Sequence, residues 1–227
     1  MTSLMHRLIG GVVLCLVWVA VASGAEKQRQ VFVEEGGVVC IEAEQTSSDL
    51  GQWKKHTDAS FKDWVGGFLG DACLQFTGNK ESSGPPTSVL VYHVKISTAG
   101  KYRLAIRGLE APLESGEGDK ANDCYVRMVG QAEWRGKFTK HVLLGKSYAW
   151  SWGVKSEYAH HKFTIAEYDL AAGVHTLEVA GRSKNFFLDR IVLYKSDVPV
   201  KEAQNEKRAP SKREQAPVTD ATAGGGK

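Results

Sequence analysis

Three acids stand out by type and spacing. Glu42 and Glu44 are two residues apart in Val38–Glu44, a run that reads as a strand. Alternation puts both carboxylates on one face, about 7 Å apart, where they repel unless a cation or an arginine sits between them. Asp189 heads another strand-like run, in register with Phe187 and Ile191, and an acid among apolar neighbours needs a partner. Three carboxylates with backbone carbonyls would form a hard oxygen cage that suits Ca²⁺ rather than a soft transition metal. The simpler alternative is a salt bridge, Asp189 with Arg182 or Arg190, and solvent-facing glutamates. A second group is aromatic: Trp134, Tyr148, Trp150 and Trp152 crowd one region, with Trp53 and Trp64 in an earlier loop-like stretch. Trp150 and Trp152 share a face if their segment is a strand. Asn122 and Asp123 follow a polar loop, and Asn185 sits in the turn before the last strand.

Other chemistries lack a pattern. There is no phosphate-cradling glycine loop, no HExxH and no nucleophile elbow. Asp58, Asp63 and Asp71 lack the spacing of a paired-carboxylate site, and His160-His161 would point to opposite faces of a strand. Charge is mixed, with 29 Lys plus Arg against 26 Asp plus Glu, so no basic stripe argues for nucleic acid.

The elements that must position these residues follow a period of two from Val31 to Tyr194. Strands are predicted at Val38–Glu44, Cys73–Thr77, Ser88–Lys95, Lys101–Arg107, Asp123–Val129, Lys162–Tyr168, Val174–Ala180 and Phe186–Tyr194. Turn signals such as Gly36-Gly37, Gly84-Pro85-Pro86 and Ala172-Gly173 separate them. Gln45–Lys55 has room for one short helix. Eight to ten strands without intervening helices predict an all-β, two-sheet jelly-roll sandwich.

Both ends read as lying outside that fold. Arg7, the apolar run Leu8–Ala22 and the small residues Ser23 and Ala25 have the order of a secretory signal over residues 1–25. The run is short for a membrane span, so none is expected after cleavage, and the expected location is secreted, periplasmic or cell-envelope. Residues 197–227 contain no Phe, Trp, Tyr, Leu, Ile or Met, which predicts a disordered tail. The domain between is 26–196, long enough for a sizeable core. It keeps Cys40, Cys73 and Cys124. An oxidising compartment permits one disulfide, and three pairings are open.

Three segments in order carry a family resemblance: Ile41-Glu42-Ala43-Glu44, then Ala99-Gly100-Lys101-Tyr102-Arg103-Leu104, then Leu170–Val179 leading into Phe187–Leu193. Together they resemble the galactose-binding-like β-sandwiches of carbohydrate-binding module families 6 and 35, from about Val31 to Lys195. Ala121–Val126 and Trp150-Ser151-Trp152 look like variants of the same group. The resemblance implies a jelly roll without catalysis, and a structural calcium on Glu42, Glu44 and Asp189. It also implies a poly- or oligosaccharide site in the loops at one end. There Asn185 would touch sugar, one or more of Trp134, Tyr148, Trp150 and Trp152 would stack on it, and Asn122 and Asp123 would line the rim. The alternative is an exported protein-interaction or envelope domain that kept the sandwich without the sugar site.

Overall fold

The computed structural model describes residues 28–57, 67–117 and 119–217. The predicted signal, Trp64 and the last residues of the predicted tail lie outside them. Strands β1 (Gln28–Val33), β2 (Val38–Glu42), β3 (Trp53–His56), β4 (Cys73–Phe76), β5 (Thr87–Ile96) and β6 (Gly100–Glu110) come first. They are followed by β7 (Asp123–Met128), β8 (Thr139–Val142), β9 (Trp150–Gly153), β10 (Lys155–Ala159) and β11 (Lys162–Ile165). Last come β12 (Glu167–Leu170), β13 (Gly173–Gly181), β14 (Phe186–Lys195) and β15 (Arg213–Pro217).

They form the expected all-β sandwich of two sheets. The first runs β11-β10-β8-β7-β13-β5-β1-β15, and the second β12-β6-β14-β4-β3, with β2 also on β14 and β9 also on β6. Every pairing is antiparallel except β1 on β5. Alternation builds the core: Tyr102, Leu104 and Ile106 of β6 meet Leu90, Tyr92 and Val94 of β5 and Val126 and Met128 of β7 between the sheets. Each such side chain contributes about 1.5–3 kcal/mol by leaving water.

The central strand β14 is buried on both faces, which explains its nearly continuous apolar run and makes Asp189 and Arg190 costly unless paired. A register shift between Leu188 and Arg190 against β6 marks a bulge at Asp189, the kind of irregularity that re-aims a side chain.

Four expectations are corrected. The strand predicted over Val38–Glu44 stops at Glu42, and a 3-10 turn over Ala43–Gln45 takes Glu44 out of the strand, so the shared-face argument fails. No helix forms over Gln45–Lys55 beyond that turn; β3 occupies its end. Lys162–Tyr168 is two strands, because the chain crosses between sheets at Ala166: its N–H donates to Val154 O (3.0 Å), and its carbonyl accepts from Leu104 N (2.8 Å).

The fourth correction is the tail. Residues 197–217 are part of the sandwich. One helical turn, α1 (Val200–Ala203), buries Ala203 against Val38, Cys40, Ala105, Val192 and Tyr194, with Val198 beside it. Ser211 N donates to Cys40 O (2.7 Å), and Cys40 N donates to Ser211 Oγ (3.0 Å). β15 then pairs with β1 from Gln28↔Pro217 to Phe32↔Arg213. Main-chain bonds to a sheet edge need no large apolar side chain, which is why composition misjudged this segment. Cys40, Cys73 and Cys124 are free and buried, with burial pushing the Cys40 and Cys73 thiols up to about 11 and about 12. No helix among the described residues is long and apolar enough to cross a membrane.

Candidate functional site

The three acids predicted as metal ligands do converge, because β2 lies beside β14 with Glu42 opposite Arg190. What neutralises them is guanidinium. Glu42 is ion-paired through Oε1 with Arg190, both buried. Asp189, wholly buried, accepts from Arg107 Nη1 through Oδ2 (2.6 Å) and from Leu69 N through Oδ1 (3.0 Å). Arg107 also donates from Nε to Glu206 Oε1 (2.9 Å) and from Nη2 to Gly67 O (3.0 Å). Arg190 Nη1 reaches the carbonyls of Glu206 (3.3 Å) and Arg208 (3.1 Å). The loop above comes close: Gly70 has φ +67, and a Cβ there would stand 3.0 Å from Glu42 Cδ. Burial pushes the Asp189 carboxyl up to about 7 against the pull of Arg107. Glu44 rises to about 7, through burial and then the charge of Glu42.

These residues do not fit a three-carboxylate calcium cage. Both Asp189 oxygens and one Glu42 oxygen already accept N–H groups, leaving Glu42 Oε2 and Glu44 Oε2 as buried oxygens without a hydrogen bond. Calcium takes 6–8 oxygens. Among the described residues no group of three or more His, Cys, Asp or Glu side chains could hold a metal ion. The expected salt bridge of Asp189 exists, but with Arg107, which the sequence reading did not name; Arg182 is committed elsewhere. Calcium, added or chelated, is therefore expected to leave Tm unchanged in a thermal melt. A calcium-induced rise that disappears in Glu44→Gln would reverse this assignment.

The loops at one end of the sandwich gather a second polar group. Glu81 accepts from Glu114 N (2.9 Å), Ser115 N (2.9 Å), Ser115 Oγ (2.8 Å) and Asn185 Nδ2 (2.7 Å). Burial alone would raise its carboxyl, but these donors hold it at about 2. Asn185 Oδ1 accepts from Gln75 Nε2 (2.9 Å), and Gln75 Oε1 pairs with His56 Nε2 at 2.9 Å. With φ +66 and 5% exposure, Asn185 is a turn residue whose amide knits the loop end together rather than an amide offered to a ligand.

Beside this knot lies a cleft of about 290 Å³, lined among others by Lys120, Asn122, Asp123, Lys140, Glu157, Phe163 and Arg182. Apart from Glu81, which neutral donors hold, its charges are paired among themselves. Asp123 Oδ1 accepts from Arg182 Nη1 (2.6 Å) and from Ser183 Oγ, and Lys140 is ion-paired with Glu157. Burial raises the Asp123 carboxyl despite Arg182, whereas Lys140 and His161 N hold Glu157 low. Asn122 anchors the rim: its carbonyl accepts from Leu143 N at 2.8 Å. Tyr148 stands at the same end, 46% exposed, donating its hydroxyl to Pro112 O (3.1 Å). A neutral, hydroxyl-rich ligand could exchange hydrogen bonds with such a rim without disturbing a net charge.

The predicted site residues thus divide. Asn122, Asp123, Tyr148 and Asn185 share the loop end. Trp150 and Trp152 do share a face of β9, opposite Leu109 and Arg107 on the outside of the second sheet. There they act in packing. Trp150 is half-buried against Cys73, Leu109, Ala111 and Phe187, with the Arg107 guanidinium 5.2 Å from its ring centroid. Trp152 packs on the patch that Ala203 covers. Trp134 lies apart, on a 3-10 turn (Glu133–Gly136) near the β10–β11 edge of the first sheet. Trp53 is core and donates Nε1–H to Ser88 O at 2.8 Å. The sequence reading missed Lys140, Glu157, Arg182 and the exposed Phe163. A readable signal existed for Phe163: it directly follows His160-His161-Lys162, a polar hairpin tip that marks an exposed strand start.

The architecture is that of a two-sheet, all-β sandwich with a polar cleft at its loop end. The chain belongs to the family described as the glycosyl hydrolase family 115 C-terminal domain, whose model matches residues 31–203. No curated protein matches the sequence. Among solved structures, one similar chain is the GH26-CBM35 β-(1,4)-mannanase of Podospora anserina, at 17% identity and TM-score 0.46. The match covers 73% of this chain and 29% of the mannanase, so the chain spans less than a third of that protein. A family 35 carbohydrate-binding module from Clostridium thermocellum matches at 17% identity and TM-score 0.44, covering 68% of this chain and 97% of the module. The C-terminal CBM6 of the laminarinase LamC from Zobellia galactanivorans matches at 15% identity and TM-score 0.41, covering 70% and 99%. Modules of both families named by the sequence motifs are thus among the similar structures.

Proposed function

We propose that the protein is an exported, non-catalytic carbohydrate-binding module whose ligand is a neutral poly- or oligosaccharide held in the loop-end cleft. The observation that carries this reading is the cleft itself: about 290 Å³, rimmed by an amide and internally paired ions, with the exposed phenyl ring of Phe163 in its wall. Pyranose rings present C–H faces to an aromatic ring and hydroxyls to polar side chains, and this wall offers both. Membership in a domain family attached by name to glycosyl hydrolases supports the same ligand class. The apolar N-terminal run followed by small residues supports export. Asp123 and Glu157 serve as partners of Arg182 and Lys140, so each works to shape the cleft.

The test is affinity electrophoresis through gels containing xylan, mannan, mixed-linkage glucan or laminarin, followed by calorimetry on whichever binds. The double variant Lys120→Ala/Asn122→Ala removes rim groups without touching the core. It is expected to weaken binding about tenfold, the loss of one or two hydrogen bonds. Absence of binding to every glycan, or binding indifferent to the double variant, would refute the assignment.

A further inference from the structure

The edge of the first sheet carries an aromatic group that the cleft does not require. Trp134, Arg135, Tyr158, Phe163 and Thr164 line a separate hollow of about 250 Å³. Tyr158 and Phe163 are 45% and 42% exposed, and the rings of Trp134 and Tyr158 stand 6.2 Å apart with a 42° tilt. Two large aromatic side chains left in water on an outermost strand and its neighbour forgo the stabilisation that burial would give. Trp134, the third ring, is held in place. The Arg135 guanidinium lies 4.6 Å from the Trp134 ring centroid, and its Nε donates to Glu167 O at 2.6 Å. A ring fixed before the ligand arrives loses little conformational freedom on binding.

Phe163 belongs to both places, since it lines this hollow and the loop-end cleft alike. The two hollows therefore meet at one side chain. The cations around them are matched by acids, Lys140 by Glu157, Arg182 by Asp123 and Arg135 by Glu133, so the joined surface favours neither an anion nor a cation. A ligand that fits is long, uncharged and repeats an apolar face along its length.

We infer that Trp134, Tyr158 and Phe163 form a second stacking subsite, continuous with the cleft through Phe163, and that the ligand is an internal stretch of a neutral polysaccharide rather than a chain end or a single sugar. This rests on the carbohydrate reading above and extends it from a sugar class to a mode of recognition.

Calorimetric titration of the full chain with β-1,4-linked xylo-, manno- and gluco-oligosaccharides of one to six units tests it. In the series that binds, affinity is expected to climb at least tenfold between the shortest and longest members. Phe163→Ala should abolish that climb and also weaken the short ligands, because the same ring walls the cleft. Tyr158→Ala, at a separate exposed position, should lower only the long-ligand affinity and provides the check if Phe163→Ala folds poorly. Lys120→Ala/Asn122→Ala should weaken every length alike. Equal affinity at all lengths, or a climb untouched by both aromatic variants, overturns the subsite and leaves the carbohydrate reading standing. No binding in any series, nor to any of the polysaccharides in the gels, overturns both. Dimerisation in sedimentation that Tyr158→Ala abolishes, without length-dependent binding, would instead assign the aromatic edge to a second copy of the chain.

Discussion

Replacing Arg107 with methionine is expected to cost about 3–5 kcal/mol, the range for removing one partner of a buried ion pair. In a domain of this size that lowers Tm by about 10 °C. Methionine keeps an apolar stem beside Trp150 but strands the Asp189 carboxylate, which has no exposure and would keep only the Leu69 N–H. The deficit should depend on pH. Burial already holds the folded-state Asp189 carboxyl near 7, above an unfolded value of about 3.9, and loss of the guanidinium moves it further up. A raised carboxyl contributes its stability fully below the unfolded value and loses it as pH rises through the folded one. Arg107→Met should therefore be closer to wild type at pH 5 than at pH 8 in parallel thermal melts. Asp189→Asn should be milder, because Arg107 keeps Glu206 and the Gly67 carbonyl. Combining Arg107→Met with Asp189→Leu should recover much of the loss; additive losses would show that the two do not act as a pair.

Ending the chain after Ser196 is expected to destabilise it by about 3 kcal/mol or more, with Tm falling by roughly 6–12 °C. Three effects add. Val38, Cys40, Val192 and Tyr194 lose the cover of Val198 and Ala203. Arg190 loses the carbonyls of Glu206 and Arg208, and Arg107 loses the Glu206 carboxylate. The β1 edge loses its five-residue partner. The uncovered apolar patch should bind a hydrophobic dye and promote association. An unstructured tail would be dispensable, so an unchanged melting curve in the shortened chain would show that the segment does not pack as described.

Sequence patterning revealed the sandwich because several core strands alternate: β5, β7 and the first half of β6 send every second residue toward the other sheet. That the Glu42 strand lies beside the Asp189 strand came only through the calcium site that the family resemblance implied. Patterning could not tell which cation neutralises them. Arg107 lies far along the chain from both acids, and nothing local marks an arginine as inward-facing. Short strands such as β3, β10 and β15 are held by main-chain bonds, to which hydrophobic periodicity is blind. The tryptophans misled because an aromatic pair on alternate strand positions looks the same whether a ligand or a covering loop lies over it. The cleft residues Lys140 on β8, Glu157 on β10 and Arg182 just after β13 are far apart in the chain, and only the pairing of β7 with β8 and β13, and of β8 with β10, draws them to Asp123. Asn122, Asp123 and Tyr148 fall together because loop residues at strand ends gather at one pole of a sandwich.

The pairing of Gln28 with Pro217 has a consequence for biosynthesis. The outermost ribbon is completed by residues nearly two hundred positions apart, so a nascent polypeptide cannot seal it until translation has run past β15. Until then the first strand is held on one side only, by β5, and its other rim of amides and carbonyls stays available to any extended peptide nearby. Of the described strands, the one synthesised last is thus the one that shuts off the route to aggregation.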